Sequence, residues 1–328
     1  MDLREIDEAR IAQSFFSRYW RWEISEEELF ERSIVAELTR RLPHIDTSTW
    51  PERFLLGGVY LAGRSVDASA QIVPPCRLEY YEPNIPLEVV ATFYPAFNTS
   101  SILYHDDDLA VVAKPDGLPT TPARDQVRYN LQRYLSEHFV KPVHMPSRLD
   151  TAVSGILLCS LSSRANRYFQ KAYERHWIEK YYLAEIAGVP KWEHCRVQRA
   201  LTRDARHPVL RRCVLDPEVG ESAETKLTRL SSFQADDGVR SVLQAEPLTG
   251  RTHQIRVHCR SEGFPIVGDP FYGGLPAQTL HLASYGVRFR HPYRNQMMTY
   301  ELPPPLQPEW LRSIAARANG ISLRLREW

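Results

Sequence analysis

The stretch Ser147-Arg148-Leu149-Asp150-Thr151-Ala152-Val153-Ser154-Gly155 runs through a polar turn into the apolar run Ile156-Leu157-Leu158-Cys159. That places one carboxylate, Asp150, in a loop at a sheet edge, where the scaffold holds it and a ligand can still reach it. Two later blocks supply partners: Lys180-Tyr181-Tyr182-Leu183-Ala184, and Gly250-Arg251-Thr252-His253-Gln254-Ile255-Arg256-Val257-His258. A buried aspartate alone tends to protonate, because burial disfavours its charge. A guanidinium beside it keeps it ionised and fixes its orientation. Asp150 paired with Arg256 would make a preformed nucleophile or base in a partly desolvated pocket. Tyr182 adds an aromatic face and a hydroxyl for proton transfer. Each residue also has a structural reading: a loop salt bridge for the Arg-x-Asp triplet, core packing for Tyr182, and a bridge to a loop carboxylate for Arg148.

Other chemistries find less support. There is no Gly-x-Gly-x-x-Gly and no P-loop, so no nucleotide cofactor is indicated. His253, His258, Asp269 and His281 are metal-ligand types, but His253 and His258 stand five apart, a poorer stack on a helix than a spacing of four. Backbone-bonded structural histidines are the expectation, with no metal and no cofactor. The five cysteines are scattered, with no Cys-x-x-Cys pair, which fits a reducing, cytoplasmic protein. The charged N-terminus is unlike a secretory signal, and no run is apolar enough to span a bilayer. A net charge of +1 hides how charge is distributed. The basic side is nearly all arginine, which suits phosphate contact and equally follows from a GC-rich genome.

The elements that must carry these blocks can be sketched from pattern. Residues 1–45 read as a helical extension, with Ser25-Glu26-Glu27-Glu28 as a capping box ahead of Phe30, Ile34 and Leu38. The preceding aromatics and arginines, Phe15 to Trp22, suit packing against a neighbouring domain or stacking on bases. Residues 46–95 carry short strands around Gly57-Gly58-Val59-Tyr60-Leu61 and Arg77-Leu78-Glu79-Tyr80-Tyr81. Residues 96–305 form the largest domain. It holds a buried strand at Leu109-Ala110-Val111-Val112-Ala113, a helix from Gln126 to Phe139, and a helix capped by Ser162 or Ser163. A strand from Lys180 to Ala187, a hairpin turn at Asp236-Asp237-Gly238 and a helix capped by Thr252 follow. Residues 306–328 read as a peripheral tail. Arg196, Arg199, Arg203, Arg206, Arg211 and Arg212 meet almost no acid but Asp204 in the sequence; a solvated loop and a phosphate-contacting patch are both open.

The three blocks, in this order, resemble the RluA-type pseudouridine synthases. Lys114-Pro115-x-Gly117-Leu118, Gly220 to Lys226, Pro265-Ile266-Val267-Gly268-Asp269 with Tyr272-Gly273, Leu280-His281-Leu282-Ala283 and His291-Pro292 match that family too. The resemblance implies an α+β fold on a long mixed, mostly antiparallel sheet, preceded by a small alpha-L-like RNA-binding module. In this chain that module is degenerate, with only Arg53, Arg64 and Arg77 as basic residues in its matching part. It implies isomerisation of uridine to pseudouridine in RNA, without metal or cofactor; ribosomal and transfer RNA are the expected targets. The sequence does not show the oligomeric state, and a monomer is the default expectation. By carry-over, Asp150 is the catalytic aspartate, Tyr182 the active-site tyrosine, Arg256 the partner of the aspartate, and Arg148 the arginine that fills the gap left by the flipped base. Lys180, Arg251, His253 and Gln254 are expected to contact RNA. A catalytically silent RNA-binding or RNA-remodelling protein on the same fold is the alternative.

Two positions depart from the family pattern: Ser147 stands where histidine is usual, and Val153 where threonine is usual. Valine is nearly isosteric with threonine but lacks its hydroxyl, so one hydrogen bond near the loop is absent. We expect Val153→Thr to change the rate or the choice of target; an unchanged rate and target would remove this position from the account.

Overall fold

Sequence period and burial together set two units, each with its own core. A computed structural model describes residues 19–83, 86–124, 127–204, 210–214 and 219–317. The smaller unit comprises the described residues of Glu8–Tyr94 with Thr121–Tyr134; the larger comprises those of Pro95–Thr120 and Leu135–Trp328.

The smaller unit begins with a strand where a helix was expected. In β1 (Tyr19–Ile24), Trp20 and Trp22 alternate with exposed Tyr19, Arg21 and Glu23, a period of two that outweighs the helical reading. Ser25 opens only a turn, and Ser33 caps helix α1 (Ile34–Arg41) by accepting from the Ala36 amide. Then come α2 (Trp50–Leu56), β2 (Val59–Leu61), β3 (Arg64–Ser65), β4 (Cys76–Tyr81) and α3 (Leu87–Phe93). The sheet order is β1-β4-β2-β3, and β1 pairs with β4 from Tyr19↔Tyr81 to Ile24↔Cys76. The segments before and after residue 45 therefore share one sheet and one core, formed by Ile24, Ile34, Leu38, Trp50, Val59, Leu78 and Tyr80. Most cations here have internal partners: Arg21 and Arg77 meet buried Glu79, Arg40 and Arg41 meet buried Glu37, and Arg53 bonds the Tyr80 hydroxyl. Residues 1–18, including Phe15 and Phe16, lie outside the described part.

The larger unit is built on a nine-stranded sheet. Its strands are β5 (Ile102–His105), β6 (Leu109–Lys114), β7 (Ser154–Ser160), β8 (Glu179–Ala187), β9 (His194–Gln198), β12 (Glu224–Ala235), β13 (Gly238–Pro247), β14 (Leu282–Arg290) and β15 (Met297–Glu301). Between β9 and β12, β10 (Ala200–Arg203) and β11 (Arg211–Val214) form a separate hairpin. The order is β5-β6-β7-β14-β8-β13-β12-β9, with β15 also on β14. Among the described strands, β7 and β14 alone run parallel, so the sheet is mixed and mostly antiparallel, the α+β architecture expected.

Four helices complete the description. Helix α4 (Leu131–Phe139) starts where the Asn130 side chain accepts from the Arg133 amide, later than the reading from Gln126, which is not among the described residues. Helix α5 (Ser163–Glu174) is capped by Ser162 and lays Ala165, Phe169 and Ala172 on the sheet, with Phe169 edge-on to Phe289. Helix α6 (Gln254–Ser261) follows the Gly250 loop. The 306–328 tail is not wholly peripheral: helix α7 (Glu309–Arg317) puts Trp310, Leu311 and Ile314 into the main core. The residues beyond 317 lie outside the described part. No helix among the described residues is long and apolar enough to cross a membrane.

The parallel contact has a strict requirement. Gly155, the last residue of the Asp150 stretch, pairs with Ser284 of β14 and has φ +114°. A Cβ there would lie 2.1 Å from the Ser284 carbonyl oxygen. Side chains avoid this φ, and backbone cannot yield as a flexible side chain can. Gly155→Ala should therefore destabilise the protein by about 2–5 kcal/mol, from backbone strain and overpacking together. Urea denaturation checks this; a loss under 1 kcal/mol would mean the two strands can separate at little cost.

Candidate active site

Asp150 is held from both sides by buried groups on the β6 loop. The Thr120 hydroxyl accepts from the Leu149 amide at 3.1 Å and donates to the Leu149 carbonyl at 2.8 Å. The buried Lys114 ammonium donates to the carbonyls of Pro115, Leu118 and Thr151 at 2.8, 2.7 and 3.0 Å. Burial pushes the Lys114 pKa down to about 7. The cage of three carbonyls opposes that, because only the ammonium has three hydrogens to give. The Val153 amide donates to the Asp150 carbonyl at 3.0 Å and closes the turn. With its two neighbours clamped, Asp150 has little freedom beyond its own side-chain torsions.

Arg256, on α6, meets Asp150 across more than a hundred residues of chain. Its Nη1 donates to Asp150 Oδ2 at 3.2 Å. Its other face makes a two-pronged contact with Asp269: Nε to Oδ2 at 2.7 Å and Nη2 to Oδ1 at 2.8 Å. The guanidinium is 3% exposed and Asp269 is fully buried, while Asp150 keeps 28% of its side chain exposed. The aromatic rings of Phe271 and Tyr272 lie 5.0 and 5.2 Å from the guanidinium carbon. Burial works against the charge on Arg256, and Asp269 outweighs it, so the pKa rises. Arg256 is thus a permanent cation, anchored by one carboxylate and offered to another.

Burial alone would raise the Asp150 pKa; His253, Arg256 and Lys114 outweigh it and hold the carboxyl below its usual range. Of these, His253 is itself pushed down to about 4 by burial and by Arg256, so it is uncharged at neutral pH. The ionisation of Asp150 near pH 7 therefore rests on Arg256, with Lys114 in support. Only one oxygen of Asp150, Oδ2, meets the guanidinium, and the carboxylate keeps part of its surface exposed.

Tyr182 on β8 pairs with Ser284 of β14, the residue that packs on Gly155. Burial, Tyr173 and Asp150 raise its pKa above the ordinary tyrosine range, while the Ser284 hydroxyl donates to the Ile156 carbonyl at 2.9 Å. The phenol thus stays protonated through neutral pH, beside an ionised aspartate. It can stack on a planar ligand and donate a proton; it is a poor base.

The four residues expected to contact RNA divide. Gln254 is buried: its amide donates to the Glu224 carbonyl and the Thr225 hydroxyl at 2.8 and 2.9 Å, and its oxygen accepts from Thr249 and the Arg251 amide. It ties the loop together instead of facing a ligand. His253, not Thr252, caps α6; it adopts φ 57° and bonds the Tyr272 hydroxyl at 2.7 Å, with Nε2 3.7 Å from Asp150. Arg251 is exposed and pairs with Glu221 at 2.8 Å. Lys180, half-buried on β8 two residues before Tyr182, has its ammonium 5.6 Å from the centre of the Tyr173 ring. Arg148 is exposed, with no ion-pair partner among the described residues. Further histidines are structural: His258 bonds Thr225 and the Arg199 carbonyl, and His281 bonds Glu185. Arg196 and Arg199 are not bare, since they pair with Glu224 and Glu262; Arg206 lies outside the described residues.

From the sequence, Lys114 is a matched position without a role, and Asp269 is weighed only as a metal-ligand type; the structure makes it the partner of Arg256. Thr120 and Ser284 drew no attention. The spacing of Gly268 and Asp269 carried a usable signal: Gly268 has φ +76°, and a Cβ there would strike the Thr279 carbonyl oxygen at 1.8 Å. A glycine so constrained fixes the direction of the next side chain.

A family model described as RNA pseudouridylate synthase matches residues 108–261. The dual-specificity RNA pseudouridine synthase RluA of Escherichia coli K12 is 34% identical over 212 residues, 62% of this chain and 92% of that protein. The chain belongs to the RluA-type RNA pseudouridine synthases. An uncharacterized RNA pseudouridine synthase of Synechocystis is 28% identical over 298 residues, covering 84% of this chain and 96% of the relative. The solved structure of human RNA pseudouridylate synthase domain containing 1 shares the fold, with a TM-score of 0.52 at 24% identity over 67% of this chain and 95% of that one. In this synthase every candidate catalytic group, Asp150, Tyr182 and Arg256, comes from the larger unit.

The electrostatics can be read from a pH profile. An aspartate needed as its anion loses activity as pH falls through its own depressed pKa, so the acid limb of kcat/KM should fall below the ordinary value of about 4. Arg256→Gln removes the permanent cation and leaves burial to dominate, so the limb should move up by about a unit or more. A limb that stays in place would show that another group sets the charge of Asp150.

Proposed function

We propose that this synthase acts on uridines in ribosomal or transfer RNA, with Asp150 as its catalytic carboxylate, Tyr182 on the base and Arg148 in the vacated stack. The observation that carries this is the Asp150 carboxylate held ionised by Arg256 with one side open. Asp150 attacks carbon 1′ of the ribose or removes its 2′ proton, and the bond from carbon 1′ to base N1 breaks. The base turns and carbon 5 bonds to carbon 1′; in the first route this displaces the Asp150 oxygen from carbon 1′, in the second the proton held by Asp150 returns to carbon 2′. The carbon 5 proton then leaves to water, and N1 ends protonated. No net charge, oxidant or cofactor enters the balance.

The remaining roles follow from the surroundings. Tyr182 with a raised pKa offers a face to the flipped base and a hydroxyl that donates. Extracting a base costs a few kcal/mol of stacking and pairing, and an arginine inserted in its place offsets part of that. Exposed and unpaired, Arg148 is two residues from Asp150, within reach of the same nucleotide. The named activity of the RluA relatives as dual-specificity RNA enzymes supports ribosomal and transfer RNA as the first substrates to try.

The decisive assay is tritium release from RNA labelled at carbon 5 of uridine, taken from cells that lack this protein. Wild type should release tritium, and Asp150→Ala should lose at least about a thousandfold in rate. Absence of release by wild type, with ribosomal and transfer RNA both offered, would favour a catalytically silent RNA-binding role.

A further inference from the structure

The buried ring of His253 has a defined neighbour at each nitrogen. The residue stands at the start of α6 with φ 57°, a region that side chains adopt only where their surroundings hold them there. Its side chain does not cap the helix. Instead Nδ1 lies 2.7 Å from the Tyr272 hydroxyl, and Nε2 lies 3.7 Å from Asp150 Oδ2. Burial and the Arg256 cation keep the imidazole uncharged at neutral pH, so one nitrogen carries a proton and the other a lone pair. The choice between them decides what Asp150 meets.

The surroundings make that choice on both sides of the ring. The Tyr272 oxygen accepts from the Arg211 backbone amide at 3.1 Å, a group that can only donate. Burial keeps the phenol protonated. Its single hydrogen has one acceptor among the described residues, His253 Nδ1. An Nδ1 that accepts leaves the ring proton on Nε2. On the other side, an Nε2 lone pair would be repelled by the Asp150 anion, whereas an N–H there is attracted to it. Both sides of the ring select the same tautomer.

We propose that Tyr272 and His253 are positioning residues for Asp150: the tyrosine sets the Nε2–H tautomer, and the histidine presents that proton to Oδ2, so that Oδ1 is the oxygen that reacts. Arg256 Nη1 meets the same Oδ2 at 3.2 Å, and among the described residues Oδ1 accepts no hydrogen bond. At 3.7 Å the imidazole stands just beyond a direct hydrogen bond, and a small turn of the carboxylate toward Nε2 makes it. Two donors on one oxygen fix the carboxylate and leave the lone pairs of the other for carbon 1′ or the 2′ proton. This rests on Asp150 being the catalytic carboxylate; the tautomer itself is measurable without RNA.

The experiment is nitrogen NMR of the full chain carrying isotopically labelled histidine. The protonated and bare nitrogens of a neutral imidazole resonate far apart, and the His253 pair is assigned by its loss in His253→Gln. Wild type should show Nε2 protonated and Nδ1 bare; a proton on Nδ1 would overturn the proposal. Tyr272→Phe should bring the Nδ1–H form into view and lower kcat about tenfold, with KM for RNA within about twofold. An unchanged spectrum and an unchanged kcat in that variant would overturn the tyrosine's part. His253→Gln and His253→Met carry the same strained backbone and differ in the N–H. The glutamine amide can donate near the place of Nε2 and should keep kcat within about threefold of wild type, while the methionine should lose about tenfold. Equal losses in the two at an unchanged Tm would overturn the proposal, because the shape of the ring and not its proton would then matter. A proton on Nδ1 in a wild type that releases tritium would overturn this proposal alone. A wild type with Nε2–H that releases none would overturn the isomerase reading and, with it, the assignment of Oδ1.

Discussion

One buried guanidinium, shared between two carboxylates, sets the electrostatics of the candidate site. Arg256 cannot shed its charge, so something must neutralise it inside the fold. Asp269 does so with two short hydrogen bonds and no exposure of its own. An arginine fully matched by one carboxylate would be inert. Here a third nitrogen hydrogen remains and points to Asp150 at a slightly longer distance. The division of labour follows from burial: Asp269 neutralises the cation, and Asp150 receives enough of its field to stay ionised without being tied down at both oxygens. A pair of equal strength would engage both oxygens of Asp150 and make each a weaker nucleophile or base toward a ribose carbon or proton.

That geometry constrains the rest of the sheet. Asp150 and Arg256 are far apart in sequence, so their meeting depends on β7 lying against β14 and on α6 emerging from the β13 side. Gly155 allows β7 to approach the β14 backbone, and Ser284, its partner there, is also the cross-strand partner of Tyr182 on β8. The same register therefore sets two distances at once: how far the Asp150 loop stands from the sheet, and where the Tyr182 ring lies beside it. A shift of one residue in β14 would turn Ser284 to the other face and lose both.

Much of this was legible in the sequence because it depends on side-chain type. A lone carboxylate needs a cation to stay charged, and only arginine gives a charge that burial cannot remove; that reasoning calls for an arginine, and the resemblance of the Gly250–His258 block picks out Arg256. The alternation of β8 and the cap at Ser162 were readable for similar local reasons. The failures are equally specific. Three glutamates after Ser25 look like a capping box, yet Trp20 and Trp22 need to reach a core on alternate residues, and strand pairing with Tyr80 and Leu78 decides the matter. Gln254 looks like a ligand contact because it sits in a conspicuous block, and nothing local reveals that Thr225 and Glu224 come from another strand to take its hydrogen bonds. Asp269 was visible as a residue and not as a partner, since its role exists only across the fold.

The near-neutral charge then becomes intelligible. Arg196, Arg199 and Arg251 each have a glutamate within ion-pair distance, so the arginine-rich stretch contributes less field than its composition implies. In the smaller unit Arg21, Arg40, Arg41 and Arg77 are similarly matched. Among the described residues, Arg148 and Lys180 have no ion-pair partner, one in the Asp150 loop and the other two residues before Tyr182. A protein that binds RNA by overall charge would spread its excess broadly, and its affinity would fall steeply with salt. One that leaves only a few cations unpaired beside the reacting group binds weakly elsewhere and gains its electrostatic contact where a nucleotide is already in place for reaction. For a chain of this net charge, selection of the target must come from RNA shape around those contacts more than from attraction at a distance.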